Sequence, residues 1–126
     1  MKKEIYTDNA PAAIGPYSQA IQAGDFLYVS GQIGINPETG DVAEGIEAQT
    51  KQVMENLKAI LAEANTSFAD VIKFTIYIQS MDNFATVNDI YGGYLQKPYP
   101  ARATVEVSRL PKDMLVEMDA VVYTGK

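Results

Sequence analysis

Apolar and polar positions alternate in two rhythms along this chain, and the changes of rhythm mark out its elements. Val71 to Ile78 has a period of two. Ile72, Phe74, Ile76 and Ile78 make one apolar face, and Val71, Lys73, Thr75 and Tyr77 a mixed one. Leu115 to Tyr123 repeats this, with Val116, Met118, Ala120 and Val122 pointing one way and Leu115, Glu117, Asp119, Val121 and Tyr123 the other. Ala20–Ala23 and Phe26–Ser30 are short strands joined by the turn residues Gly24-Asp25, a hairpin signal, with Ser30-Gly31-Gln32 stopping the second strand. Glu4–Thr7 is a further short strand, ended by Asp8-Asn9-Ala10-Pro11. Between Gly45 and Ala64 the period becomes helical. Ile46, Val53, Met54, Leu57, Ile60, Leu61 and Ala64 share a stripe, while Lys51, Glu55 and Lys58 are spaced for weak pairing on solvated faces. A second helix is capped by Ser80 or Asp82 and carries Phe84, Val87, Tyr91, Tyr94 and Leu95 on its buried side. Gly92-Gly93 weakens it by about 1 kcal/mol per glycine, which predicts close packing or an early end.

Pro98-Tyr99-Pro100 forbids a helix and fixes an extended lead into the strand Thr104–Val107. The order is then three strands, helix, strand, helix, two strands, with no linker or repeat. It predicts one α+β domain over residues 1–126, a mixed sheet with two helices packed on one face. The other face would carry Thr75, Tyr77, Glu117, Asp119 and Val121. That surface is too apolar for water and too polar for a core, so it points to packing against other copies of the chain.

Composition narrows the chemistry. The chain has no cysteine and no histidine, which removes thiol nucleophiles, disulfides, zinc–thiolate clusters and the serine–histidine–aspartate triad. Any catalysis must use carboxylates, hydroxyls, Lys, Arg and backbone groups. A net charge of -6 with scattered basic residues disfavours nucleic acid as a partner. No apolar run is long enough for a membrane span, and Met1-Lys2-Lys3 precedes no apolar core. The expectation is a soluble, cytoplasmic protein.

Arg102 lies between the prolines and the strand, on a rigid support at the strand mouth. It reads either as a surface arginine or as a clamp that grips a carboxylate with two parallel hydrogen bonds. Gly15-Pro16 is a fixed turn presenting Tyr17, either for packing or to line a pocket. At Ser30-Gly31, the missing side chain permits either a close ligand contact or a simple bulge.

Several separated segments together resemble the RidA (YjgF) family of reactive intermediate deaminases. They are Asn9–Gln19, Ser30-Gly31-Gln32-Ile33 with Asn36-Pro37, Phe84–Asn88, Pro100-Ala101-Arg102 through Val107, and Leu110-Pro111-Lys112-Asp113. The resemblance spans nearly the whole chain. It implies a chorismate-mutase-like fold, a homotrimer with a central β-barrel, and ligand clefts between neighbouring subunits. It also implies hydrolysis of 2-imino and enamine acids, such as 2-iminobutanoate and 2-iminopropanoate, to 2-keto acids and ammonia. No metal and no cofactor are implied. The implied functional partners are the pyridoxal-phosphate-dependent threonine and serine dehydratases that release these compounds. On this reading Arg102 binds the substrate carboxylate, and Glu117 holds or deprotonates the attacking water unless it is only a sheet carboxylate at a subunit seam. Gly31 and Thr104 contribute backbone contacts, Tyr17 and Ser30 hydroxyls, and Asn88 support for its helix or loop. Many members carry cysteine where this chain has Thr104, a change that a backbone contact survives. The alternative class is a keto-acid-binding regulatory or chaperone-like protein without turnover.

Overall fold

The apolar stripe of the long helix decides the layering. In the computed structural model, which describes residues 1–125, helix α1 runs Gly45–Glu63. Its Val53, Met54, Leu57, Ile60 and Leu61 are all buried. Each such side chain contributes about 1.5–3 kcal/mol when removed from water. They cover one face of a six-stranded sheet made of β1 (Lys2–Ile5), β2 (Ala20–Ala23), β3 (Phe26–Ile33), β4 (Val71–Ile78), β5 (Ala101–Glu106) and β6 (Val116–Tyr123). The spatial order is β1-β2-β3-β6-β4-β5. β4 and β5 are parallel, and the other neighbours antiparallel. Helix α2 (Phe84–Gly93) is the crossover that a parallel pair requires. It lies on the same face as α1, and its Tyr91 ring meets Phe74 of β4 edge-on at 5.2 Å.

The mixed α+β sheet with two helices on one face is therefore as the periodicity predicts, and the departures are local. The first strand is Lys2–Ile5, earlier than Glu4–Thr7, because β1 takes its register from β2, pairing Lys2 with Ala23 and Ile5 with Ala20. The second hairpin strand does not stop at Ser30 but continues to Ile33 through a register shift between Val29 and Gln32. A second shift, between Val71 and Lys73, breaks the alternation of β4. It buries Val71 and turns Ile72 out to 44% exposure, so Ile72 does not join the apolar face of Phe74, Ile76 and Ile78. The strand after Pro100 begins at Ala101, which places Arg102 inside β5 rather than at its mouth. Ser80 caps a single 3₁₀ turn, Met81–Asn83, that leads into α2, and α2 ends at its glycines. A side chain at either glycine would meet nothing within 4 Å, so the glycines end the helix and do not serve close packing. Glu55 accepts a hydrogen bond from the Tyr94 hydroxyl at 2.8 Å, in place of the expected lysine pairs.

Buried polar groups tie the layers together. Asn56 of α1 donates to the carbonyls of Ile33 and Ile35, at 3.1 and 3.0 Å. Gln49 accepts from the Leu115 N–H at 2.8 Å, which fixes the start of the segment leading into β6.

Candidate functional site

Arg102 is paired in register with Phe74, so its side chain leaves the sheet on the helix-covered face, at the outer strand. There α2 provides a floor. The guanidinium carbon lies 5.5 Å from the ring centre of Phe84 and 5.4 Å from that of Tyr91. Nη1 donates to Oδ1 of Asn88 on the same helix. Two ring faces and one amide hold the planar cation in a set orientation. Its other N–H groups have no hydrogen-bond partner among the described residues, and they border a cavity of about 490 Å³ lined by Asn88, Tyr91, Gly92, Tyr99 and Pro100. Burial pushes the Tyr91 phenol up, and the charge of Arg102 pulls it partly back. This half of the site suits a small carboxylate.

Thr104 follows on the same strand, paired with Ile76. Its Oγ1 is buried with no hydrogen-bond partner. Closed off from solvent, that hydroxyl is equally closed to a ligand, which leaves only the backbone of Thr104 for contact.

Glu117 stands elsewhere. It is paired with Tyr77 of β4 and Ile33 of β3 and points from the sheet face that no helix covers. Gly31 sits in the β3 irregularity directly against it: a Cβ built on Gly31 would lie 2.3 Å from Glu117 Oε2. The glycine thus makes room for the carboxylate. Burial, and then the charge of Asp119, push the Glu117 carboxyl up from its ordinary range. Asp119 in turn accepts a hydrogen bond from the Tyr77 hydroxyl at 3.0 Å.

Tyr17 and Ser30 border this second half. Ser30 Oγ donates to the Ser18 carbonyl at 2.6 Å. Tyr17 is half exposed beyond Gly15-Pro16, and its hydroxyl accepts from the Ile14 N–H at 3.4 Å. It borders one hollow with Ser30 and Tyr28, and a larger one of about 570 Å³ with Ile14, Gly31, Ile33 and Lys112. The sequence-derived candidates therefore fall into two groups. Arg102 and Asn88 meet at α2 and β5, while Tyr17, Ser30, Gly31 and Glu117 gather around β3 and β6. Within one chain the structure does not bring these groups together.

Two features escaped the sequence reading. Phe84 and Tyr91 read as core residues, since helical spacing cannot distinguish a ring packed on the core from one that also supports a cation. Gln19 is buried and clips the segment before Tyr17. It accepts from Thr7 N–H at 2.8 Å and donates to the carbonyls of Thr7, Ala10 and Pro11 at 3.0, 3.3 and 2.9 Å. Nothing in the local pattern signals that role.

Residues 7–124 match the family model described as endoribonuclease L-PSP. The chain is 55% identical to a RutC family protein of Pyrococcus horikoshii over 124 residues, 98% of each chain. It is 45% identical over 124 residues to the 2-iminobutanoate/2-iminopropanoate deaminase of Salmonella typhimurium, covering 96% of this chain and 97% of that relative. A crystal structure of RidA from an Antarctic Psychrobacter bacterium superposes with a TM-score of 0.94 at 46% identity, covering 96% of this chain and 98% of that one.

Proposed function

This chain belongs to the RidA (YjgF) family, the one that the endoribonuclease L-PSP description covers, and on that footing we propose that it hydrolyses 2-imino and enamine acids to 2-keto acids and ammonia. The substrates on this reading are short ones, 2-iminobutanoate and 2-iminopropanoate, supplied in the cytoplasm by pyridoxal-phosphate-dependent threonine and serine dehydratases. The observation that carries the reading is Arg102, oriented by Asn88 and two ring faces, with its remaining donors turned into a small cavity.

The chemistry asks little of the protein. Arg102 clasps the carboxylate and fixes the imine carbon in place. Glu117 takes a proton from water as the water oxygen bonds to that carbon, and the C=N π pair moves to nitrogen. Starting from the protonated imine, that proton passes from Glu117 to the amine nitrogen, the C–N bond breaks with its electron pair leaving on ammonia, and the hydroxyl proton passes back to Glu117 as the carbonyl forms. A carboxyl raised above its ordinary range is a stronger proton acceptor than an ordinary glutamate, which suits a group that takes a proton from water and then returns it. Backbone groups at Gly31 and Thr104 and hydroxyls from Tyr17 and Ser30 complete the cleft.

The placement of Arg102 and Glu117 on opposite sheet faces supports a cleft shared between copies, in which a single domain spanning residues 1–126 gives its Arg102 half to one neighbour and its Glu117 half to another. A homotrimer with the uncovered sheet faces turned inward as a barrel satisfies this arrangement.

The test couples the protein to threonine dehydratase and follows keto-acid release. Acceleration above the spontaneous rate supports the reading. A protein that 2-ketobutanoate stabilises against heat, but that leaves the release rate unchanged, is a binder and overturns it.

A further inference from the structure

The uncovered sheet face carries a second acid that the reaction above leaves without a role. Asp119 lies two residues after Glu117 on β6, so both carboxylates leave the strand on the same side, about 7 Å apart along it. Tyr77 connects them. Its Cα is paired directly with Glu117, while its hydroxyl reaches diagonally to Asp119 Oδ2 at 3.0 Å. The Tyr77 side chain therefore fixes where the Asp119 charge sits relative to Glu117.

The other groups facing Glu117 from the flanking strands are few. β3 offers Gly31 and Ile33, with Tyr28 further along, paired with Val121. β4 offers Tyr77 and Thr75, the latter paired with Asp119, with Lys73 further along, also paired with Val121. Within one copy, and among the described residues, Asp119 is thus the nearest charge on this face of β3, β4 and β6, and Lys73 is two face positions from Tyr77; in the shared cleft proposed above, a neighbouring copy's Arg102 is a further charge facing Glu117, and it is unchanged in every variant below. The Glu117 carboxyl sits against Gly31, in the space that a Cβ there would fill.

We propose that Asp119, anchored by the Tyr77 hydroxyl, is a positioning residue that, together with burial, governs the pH at which Glu117 exchanges its proton. The inference rests on the deaminase reading for its consequence in catalysis. Its physical content, one fixed carboxylate acting on another, stands apart from that reading. A fixed anion at this separation favours the neutral form of its neighbour. It thereby holds Glu117 ready both to take a proton from water and to deliver one to the departing nitrogen.

Two readouts judge the proposal. The first is a pH titration of the Glu117 side-chain carboxyl by carbon-13 NMR in the full-length protein, assigned with Glu117→Gln. The second is the acid limb of the kcat/KM profile for 2-iminobutanoate hydrolysis. Asp119→Asn keeps the shape and removes the charge. It should lower the Glu117 midpoint by about half a pH unit or more and move the acid limb by the same amount. Asp119→Glu restores the charge and should return both toward wild type. Tyr77→Phe frees the Asp119 carboxylate and should shift them in the same direction as Asp119→Asn by less. Should Asp119→Asn fail to fold, Tyr77→Phe decides alone. Superimposable Glu117 titrations in wild type and these variants overturn the proposal. If wild type accelerates no hydrolysis, the deaminase reading fails, and the NMR arm still decides whether Asp119 governs Glu117.

Discussion

Arg102 and Glu117 leave one sheet on opposite faces: Arg102 is paired with Phe74 beneath α2, and Glu117 with Tyr77 on the uncovered side. One substrate molecule cannot touch both within a single copy. If both serve the same reaction, they do so from different subunits. Arg102→Met and Glu117→Gln should each be inactive alone. Refolded together at equal amounts they should recover on the order of a quarter of wild-type activity, the share of intact clefts in randomly assembled rings. No recovery in verified mixed trimers would overturn the shared cleft.

Asn88 should matter through Arg102. Asn88→Ala removes the acceptor for Nη1 and leaves the cation on its ring floor. One lost charge-assisted hydrogen bond is worth about 1.5–3 kcal/mol at most, which predicts a KM raised roughly tenfold with a smaller change in kcat. Arg102→Lys should not rescue Arg102→Met, because an ammonium cannot offer the planar fork. Steady-state kinetics on 2-iminobutanoate check both.

Gly31→Ala tests the contact with Glu117. The new methyl would stand 2.3 Å from Oε2 and force the carboxylate aside. A displacement of about 1 Å can cost on the order of 100-fold in rate, so kcat should fall 10- to 100-fold. Circular dichroism should be unchanged, since the chain at Gly31 needs no positive φ.

Glu117 also gives a pH-dependent stability with a definite sign. Its folded carboxyl is raised by burial and then by Asp119, so the folded state holds that proton to higher pH than the unfolded chain. Its contribution is therefore full below the ordinary glutamate range and lost as pH rises through the raised value. Glu117→Gln removes the titration. The variant should gain thermal stability relative to wild type as pH rises upward from the ordinary glutamate range. Melting curves from that range upward decide it, and a difference that does not vary with pH refutes it.

Gln19→Ala should loosen the strap that carries Tyr17. The change leaves the Thr7 N–H and three carbonyls without their partner. A buried unsatisfied group costs about 1–3 kcal/mol, and a loss of stability in that range is expected. Hydrogen exchange should quicken first at residues 7–11 and leave the α1 core protected.

Much of this structure can be read from the residue pattern, and the misses have physical causes. α1 is legible because nineteen residues of one periodicity outweigh any local accident. β6 is legible because its neighbours pair on both sides without a shift that inverts its faces. Ile72 is misjudged because one extra residue in β4 reverses which side a chain position faces, and no single-sequence pattern reveals where a strand will bulge. The same limit hides the site. Arg102, Asn88, Gly31 and Glu117 can each be singled out by residue type and motif. Whether they meet is a matter of strand register and sheet face, which depends on pairings between segments far apart in the chain.

β5 closes one margin of the sheet, parallel to β4 and, among the described residues, with no strand beyond it. A lone copy consequently offers a bare row of amides and carbonyls to any extended peptide it meets. If copies assemble as proposed, newly made chains that miss their companions are the ones most prone to stick to something else. On that reading the abundance of this protein in a cell should depend on how fast copies find each other as well as on how firmly each is folded.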